Sequence, residues 1–178
     1  RIDHKRIQKS ILREIHYYRL GTESTMVIKK QLEAIDILAS MSDRETDLLI
    51  AYEHMITLLE KQSRSSLKTL FNLLGLVYKA EDMRTAYLGL VSTASDAQNN
   101  ALEFLDNLLH TRLKSKILPI LEFATVSDQS LQRDTLSEDT KDKLYTTLKR
   151  LLDNRGKTTK IASLYIISAL LEKKYMPL

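Results

Sequence analysis

Glycine and proline punctuate a backbone more strongly than any other residues, and this chain has them only at Gly21, Gly75, Gly89, Gly156, Pro119 and Pro177. A sheet needs turn chemistry every several residues, whereas a long helix needs almost none until it ends. So sparse a supply over 178 residues therefore excludes most β architectures. Apolar side chains agree with this, because they return every three or four residues almost everywhere and no segment alternates for long enough to make a strand. The expectation is an all-α chain.

Nine helices follow from the pattern. Asp3 caps a first, in which Ile7, Ile11, Ile15 and Tyr18 form the inner stripe until Gly21 ends it. Thr22 or Ser24 opens a second, with Val27, Ile28, Leu32, Ile35 and Leu38 inward. The segment SDRE starts a third, striped by Leu48, Tyr52, Met55, Ile56 and Leu59. A fourth carries Leu67, Leu70, Phe71 and Leu74, a fifth covers about residues 81–91, and a sixth about residues 96–109. The seventh, about residues 112–123, contains Pro119, whose missing N–H costs about 3 kcal/mol in a helix interior, so a kink or early break is expected. The polar run TVSDQSLQRDTLSE reads as a loop. Ser137 begins an eighth helix, and Gly156 separates it from a ninth that ends near Tyr175.

Sliding the sequence along itself by 61 positions produces an ungapped echo. Met83 falls on Leu144, Tyr87 on Leu148, Leu90 on Leu151 and Val91 on Leu152. Ala101 then falls on Ala162, Phe104 on Tyr165, Leu105 on Ile166, Leu108 on Ala169 and Leu109 on Leu170. Polar positions are not repeated: Glu103, Asp106 and His110 fall on Leu164, Ile167 and Leu171. Packing recurs and chemistry does not, as in arrays whose helix pairs bury their apolar sides by stacking. Ala101 and Ala162 mark close helix crossings.

The pattern A-x-x-x-L-x-x-L-L resembles the second helix of a HEAT repeat. Ala97-Gln98 and Thr158-Thr159 stand where that family commonly has Val-Arg, so its inter-repeat aspartate–arginine ladder has no arginine here. The resemblance implies a HEAT-like α-α superhelix, a helical hairpin array of about nine helices. One domain over residues 1–178 is expected, with an irregular bundle at 1–78 and HEAT-like hairpins at 79–178 that flank a polar loop at about 125–136. The runs REIHYYRL, LFNLLGLVYKAEDMRTAYLGL, NNALEFLDNLL and LKSKILPILE are similar to the helical domain attached to some bacterial ATP/ADP-translocase-like carriers of the nucleotide transporter family. That similarity implies a cytoplasmic, non-catalytic appendage tethered to a membrane domain, which regulates, scaffolds or recruits. The carriers' translocating residues lie in membrane helices, so the resemblance brings no catalytic residue to this sequence. A chain that opens at Arg1 and stops at KKYMPL is expected to be a piece of a longer protein.

Composition narrows the chemistry. Hydrophobic residues at 43% and charged ones at 28% are globular values. With no cysteine, disulfides, thiolate catalysis and thiolate metal sites are excluded. Runs such as LYIISALL fall well short of the roughly 18 apolar residues of a membrane span. No glycine-rich phosphate loop, G-x-S-x-G elbow or HExxH pair occurs, and His4, His16 and His54 are scattered. No enzyme activity, cofactor or metal is therefore expected. Glu103, Asp106 and His110 share a helix face at i, i+3 and i+7, which is a conceivable metal or proton-transfer set. Their simpler reading is a solvated face with His110 near a helix C-terminus. Tyr18 continues the Ile7–Ile11–Ile15 stripe into the core, while Tyr17 faces elsewhere as a candidate interface residue.

Net charge of +4 and a pI near 9.2 direct attention to the basic groups. Lys5, Lys9 and Arg13 line one side of the first helix. Arg112, Lys114 and Lys116 form a second group, and Lys149, Arg150, Arg155, Lys157 and Lys160 surround Gly156. The last two are the candidate anion- or partner-binding residues. A protein partner, either the attached membrane domain or neighbouring helical repeats, comes first, and an anionic lipid surface second. Nucleic acid is disfavoured by the absence of Trp and by only 6% aromatic residues. The alternative function is a free-standing HEAT-like module that binds a polyanion through these clusters.

Overall fold

The computed structural model describes residues 4–36, 43–127, 138–153 and 156–175. Among them are seven α-helices and no strand. These are α1 (His4–Asp36), α2 (Asp43–Leu74), α3 (Ala80–Leu90), α4 (Ser95–Leu108), α5 (Thr111–Ser127), α6 (Glu138–Leu152) and α7 (Lys157–Tyr175). The all-α expectation holds.

The expected nine become seven among the described residues because two boundaries vanish. Gly21 does not end the first helix; it lies buried within α1 at negative φ. An interior glycine costs about 1 kcal/mol relative to alanine, whereas a break strands up to four N–H and four C=O groups beside the buried Leu20 and Ile28. The Thr25 hydroxyl donates to the Gly21 carbonyl at 2.9 Å within this turn. The polar stretch between the expected third and fourth helices contains neither glycine nor proline, and α2 passes straight through it.

Pro119 brings a third correction, since α5 continues past it to Ser127 with no early break. Pro119 and Ser115, whose carbonyl loses its usual donor, both lie on the exposed side of α5. The Asp3 cap, Leu38 and most of the expected polar loop lie outside the described residues.

The chain forms two compact units, each assembled from separate stretches: Arg1–Arg19 with Ser63–Leu131, and Leu20–Gln62 with Gln132–Leu178. In the first, Ile7, Ile11, Ile15 and Tyr18 of α1 meet Leu67, Leu70, Phe71 and Leu74 of α2. Met83 of α3, Leu105 of α4 and Ile117 and Leu121 of α5 complete that core. In the second, Ile28 of α1 and Leu48, Tyr52, Met55 and Leu59 of α2 surround Leu144, Leu148, Leu151 and Ile166 of α6 and α7. Each fully buried aliphatic side chain contributes about 2 kcal/mol of apolar transfer.

The 61-residue echo corresponds to two helical hairpins, α3–α4 in one unit and α6–α7 in the other. Met83 and Leu144, Leu90 and Leu151, and Leu105 and Ile166 are buried in both. Phe104 and Tyr165 depart from the packing expectation, because both aromatics stand on the outside. At the α3–α4 crossing, a Cβ on Gly89 would come within 2.8 Å of the Ala101 methyl and 3.0 Å of the Ala97 carbonyl. Ala101 is small for the reason expected, and its partner in closeness is Gly89.

Candidate interaction surface

The acid–imidazole trio is dispersed. Asp106 pairs with Lys114 of α5 at 2.6 Å, and Glu103 projects into solvent. His110 follows α4 and receives N–H bonds from Leu113 and Lys114 at its carbonyl, so it lies at the start of α5 as well as the end of α4. Its own N–H donates to the Tyr78 hydroxyl at 3.1 Å, and the two rings are 5.8 Å apart. Tyr78, in the turn between α2 and α3, thus clasps the α4–α5 turn. Among the described residues no three His, Asp or Glu side chains gather as a metal site.

The basic groups belong to different compact units. Arg112, Lys114 and Lys116 open α5 in the first unit, and Lys149, Arg150, Lys157 and Lys160 flank the α6–α7 connection in the second. Arg155 lies outside the described residues. Lys114 is held by Asp106, Arg150 reaches Glu23 of α1 at 3.3 Å, and Lys149 sits 4.5 Å from the centroid of the Tyr145 ring. Arg112, Lys116, Lys157 and Lys160 have no ion-pair partner among the described residues. Three of the seven described candidates are therefore engaged within their own units.

Sequence reasoning placed the Tyr52 ring inward but passed over its hydroxyl, and it passed over the carboxylate of Glu14. Glu14 lies almost wholly buried on α1 beside the Ile11–Ile15 stripe, with Arg13 Nε 3.7 Å from its carboxylate. Tyr52 is wholly buried, and its hydroxyl has no hydrogen-bond partner among the described residues. Burial there pushes its ionisation well above the ordinary tyrosine range. It also passed over the outer side of α7, where Ile161, Leu164, Tyr165 and Leu171 are exposed. The signal was present, because α7 is apolar on both sides whereas α4 at the equivalent register shows Asn100 and Glu103 outward.

Among the described residues no helix is long and apolar enough to cross a membrane. Comparison with models of known families, with curated proteins and with solved structures finds no match.

Proposed function

We infer that this chain is a non-catalytic helical interaction module, built as a HEAT-like hairpin array. It acts as a cytoplasmic, regulatory or scaffolding appendage of a nucleotide-transporter-like membrane protein. The observation that carries the reading is the paired hairpins. α3–α4 and α6–α7 share buried positions sixty-one residues apart, at Met83 and Leu144, Leu90 and Leu151, and Leu105 and Ile166, while their outward residues differ: Asn100 against Ile161, Glu103 against Leu164, His110 against Leu171. A scaffold repeated with its surface rewritten supports presentation of different faces to different neighbours. Attachment to a carrier rests on the runs LFNLLGLVY and NALEFLDNLL. The favoured partner is the carrier's own membrane domain.

Two measurements test it. The coding region upstream should encode membrane-spanning helices in frame; a complete reading frame without them removes the carrier. A photo-cross-linking residue in place of Phe104, on the outer side of α4, should join the module in cells to its own membrane domain or to one identified neighbour. Cross-linking to no protein at this position or at Leu88, exposed on α3, overturns the interaction reading.

A further inference from the structure

The first half of α1 exposes charge of one sign. From His4 to Arg19 its outward side chains include Lys5, Arg6, Lys9, Arg13 and Arg19, with Leu12 and the imidazoles of His4 and His16 among them. The stretch holds a single acid, Glu14, and that residue is buried. At 3.6 residues per turn the cations cover an arc of about 140° and reach about 21 Å along the helix.

A merely solvated helix mixes both signs, because opposite charges at i,i+4 stabilise it and like charges do the reverse. Here Lys5, Lys9 and Arg13 occupy successive i,i+4 positions, so α1 carries a repulsion that an anion outside it would relieve. The chain from Ser63 to Lys79 in the same compact unit also lacks any acid, and it exposes Arg64 and Lys68. Lys9, Arg64 and Lys68 have no ion-pair partner among the described residues. The bias is local, since α3 and α4 of that unit expose Glu81, Asp96 and Glu103.

Charge selects an anionic partner, and Leu12 selects among anions. Leu12 is 38% exposed and falls within the arc of cations. Duplex phosphates offer it no apolar contact, and single strands are held by stacked aromatic rings, whereas no Phe, Tyr or Trp is exposed on this face. An acidic protein would have to match the uneven cation spacing with fixed carboxylates. Lipid headgroups are mobile and gather beneath each cation, while Leu12 enters the boundary of the acyl region.

We propose that the outer face of α1 from Lys5 to Arg19 is a docking surface for anionic membrane lipids, on which this helix lies flat against a bilayer. The face is separate from the basic groups of α5 and of the α6–α7 connection. It needs no carrier, so the isolated chain tests it.

Flotation with phosphatidylcholine vesicles containing about 30% phosphatidylserine should recover the whole chain, and pure phosphatidylcholine should not. Binding should fall steeply with added salt. Lys5→Glu/Lys9→Glu should weaken it about thirtyfold or more with helicity unchanged, because both side chains are exposed and Arg13, beside the buried Glu14, is kept. Arg112→Glu/Lys116→Glu makes the same charge change on α5 and should alter binding less than about threefold. A chain that ignores the phosphatidylserine vesicles even at low salt overturns the proposal. Equal losses from the two pairs also overturn it, by tracing binding to net charge alone. A preference for duplex DNA or polyglutamate over the vesicles overturns it in favour of that partner.

Discussion

At the scale of single residues, Tyr52 and Gly89 show how little room the interior allows. Tyr52 Oη is buried and makes no hydrogen bond among the described residues, so replacing Tyr52 by Phe removes a desolvated polar group and keeps the ring in place. Tyr52→Phe should be neutral or stabilising by up to about 1 kcal/mol in chemical denaturation near neutral pH. The pH dependence has a definite sign. A folded-state ionisation raised above the unfolded value of about 10 leaves stability intact below that pH and removes it as pH rises, at about 1.4 kcal/mol per unit. The wild-type chain should lose stability more steeply than Tyr52→Phe above about pH 10; parallel profiles would show that the hydroxyl is hydrated in the fold. At Gly89 two effects oppose. Alanine gains about 1 kcal/mol of helix propensity but must push against Ala101 and the Ala97 carbonyl. Valine adds methyl groups at the same crossing, so Gly89→Val should cost about 1–3 kcal/mol and lower the melting temperature, with Gly89→Ala falling well short of that.

At the scale of elements, the inner stripes were legible and the ends were not. Every expected inward residue of the fourth helix, Leu67, Leu70, Phe71 and Leu74, is buried, as are Ile7, Ile11, Ile15 and Tyr18. Periodicity reports a face, and a face survives wherever the helix stops. Boundaries depend instead on a contest between local cost and tertiary burial. At Gly21 a cost of about 1 kcal/mol loses to the buried residues on either side. Pro119 is the harder case, and α5 accepts it only by turning it to solvent. Its removal should therefore show as a gain. Pro119→Ala restores a donor for the Ser115 carbonyl without entering the core and should stabilise the fold by about 1 kcal/mol, part of the full proline penalty of about 3. A lowered melting temperature would mean that the proline-shaped helix is itself required by the packing of Ile117, Leu118 and Leu121.

At the scale of the whole molecule, the sequence displayed the repeat but not its distribution. Equal spacing of apolar residues cannot say which neighbour covers them, and the two hairpins pack within separate compact units, beside different stretches of α1 and α2. The candidate site was less legible still. Charge clusters are read from sequence proximity, whereas Lys114 and Arg150 are claimed by Asp106 and by the distant Glu23. The outward seam of α7 was hidden by its own richness, since a helix apolar on both sides carries two periodicities and the buried one is read first. If the echo at sixty-one residues is structural, equivalent substitutions must have equivalent consequences. Leu105→Ala and Ile166→Ala each empty a wholly buried position and should each cost about 2–5 kcal/mol, read by amide exchange within the substituted unit. Glu103→Ala and Leu164→Ala, equivalent to one another on the outer faces, should change the stability of the fold by no more than about 0.5 kcal/mol. The sharp comparison is within α7. Leu164 is as apolar as Ile166 and only two residues away, so a large effect at Ile166 with none at Leu164 separates packing from presentation on a single helix. Equal costs at both would mean that the outer residues hold the hairpin together, and that the surface is not free to vary.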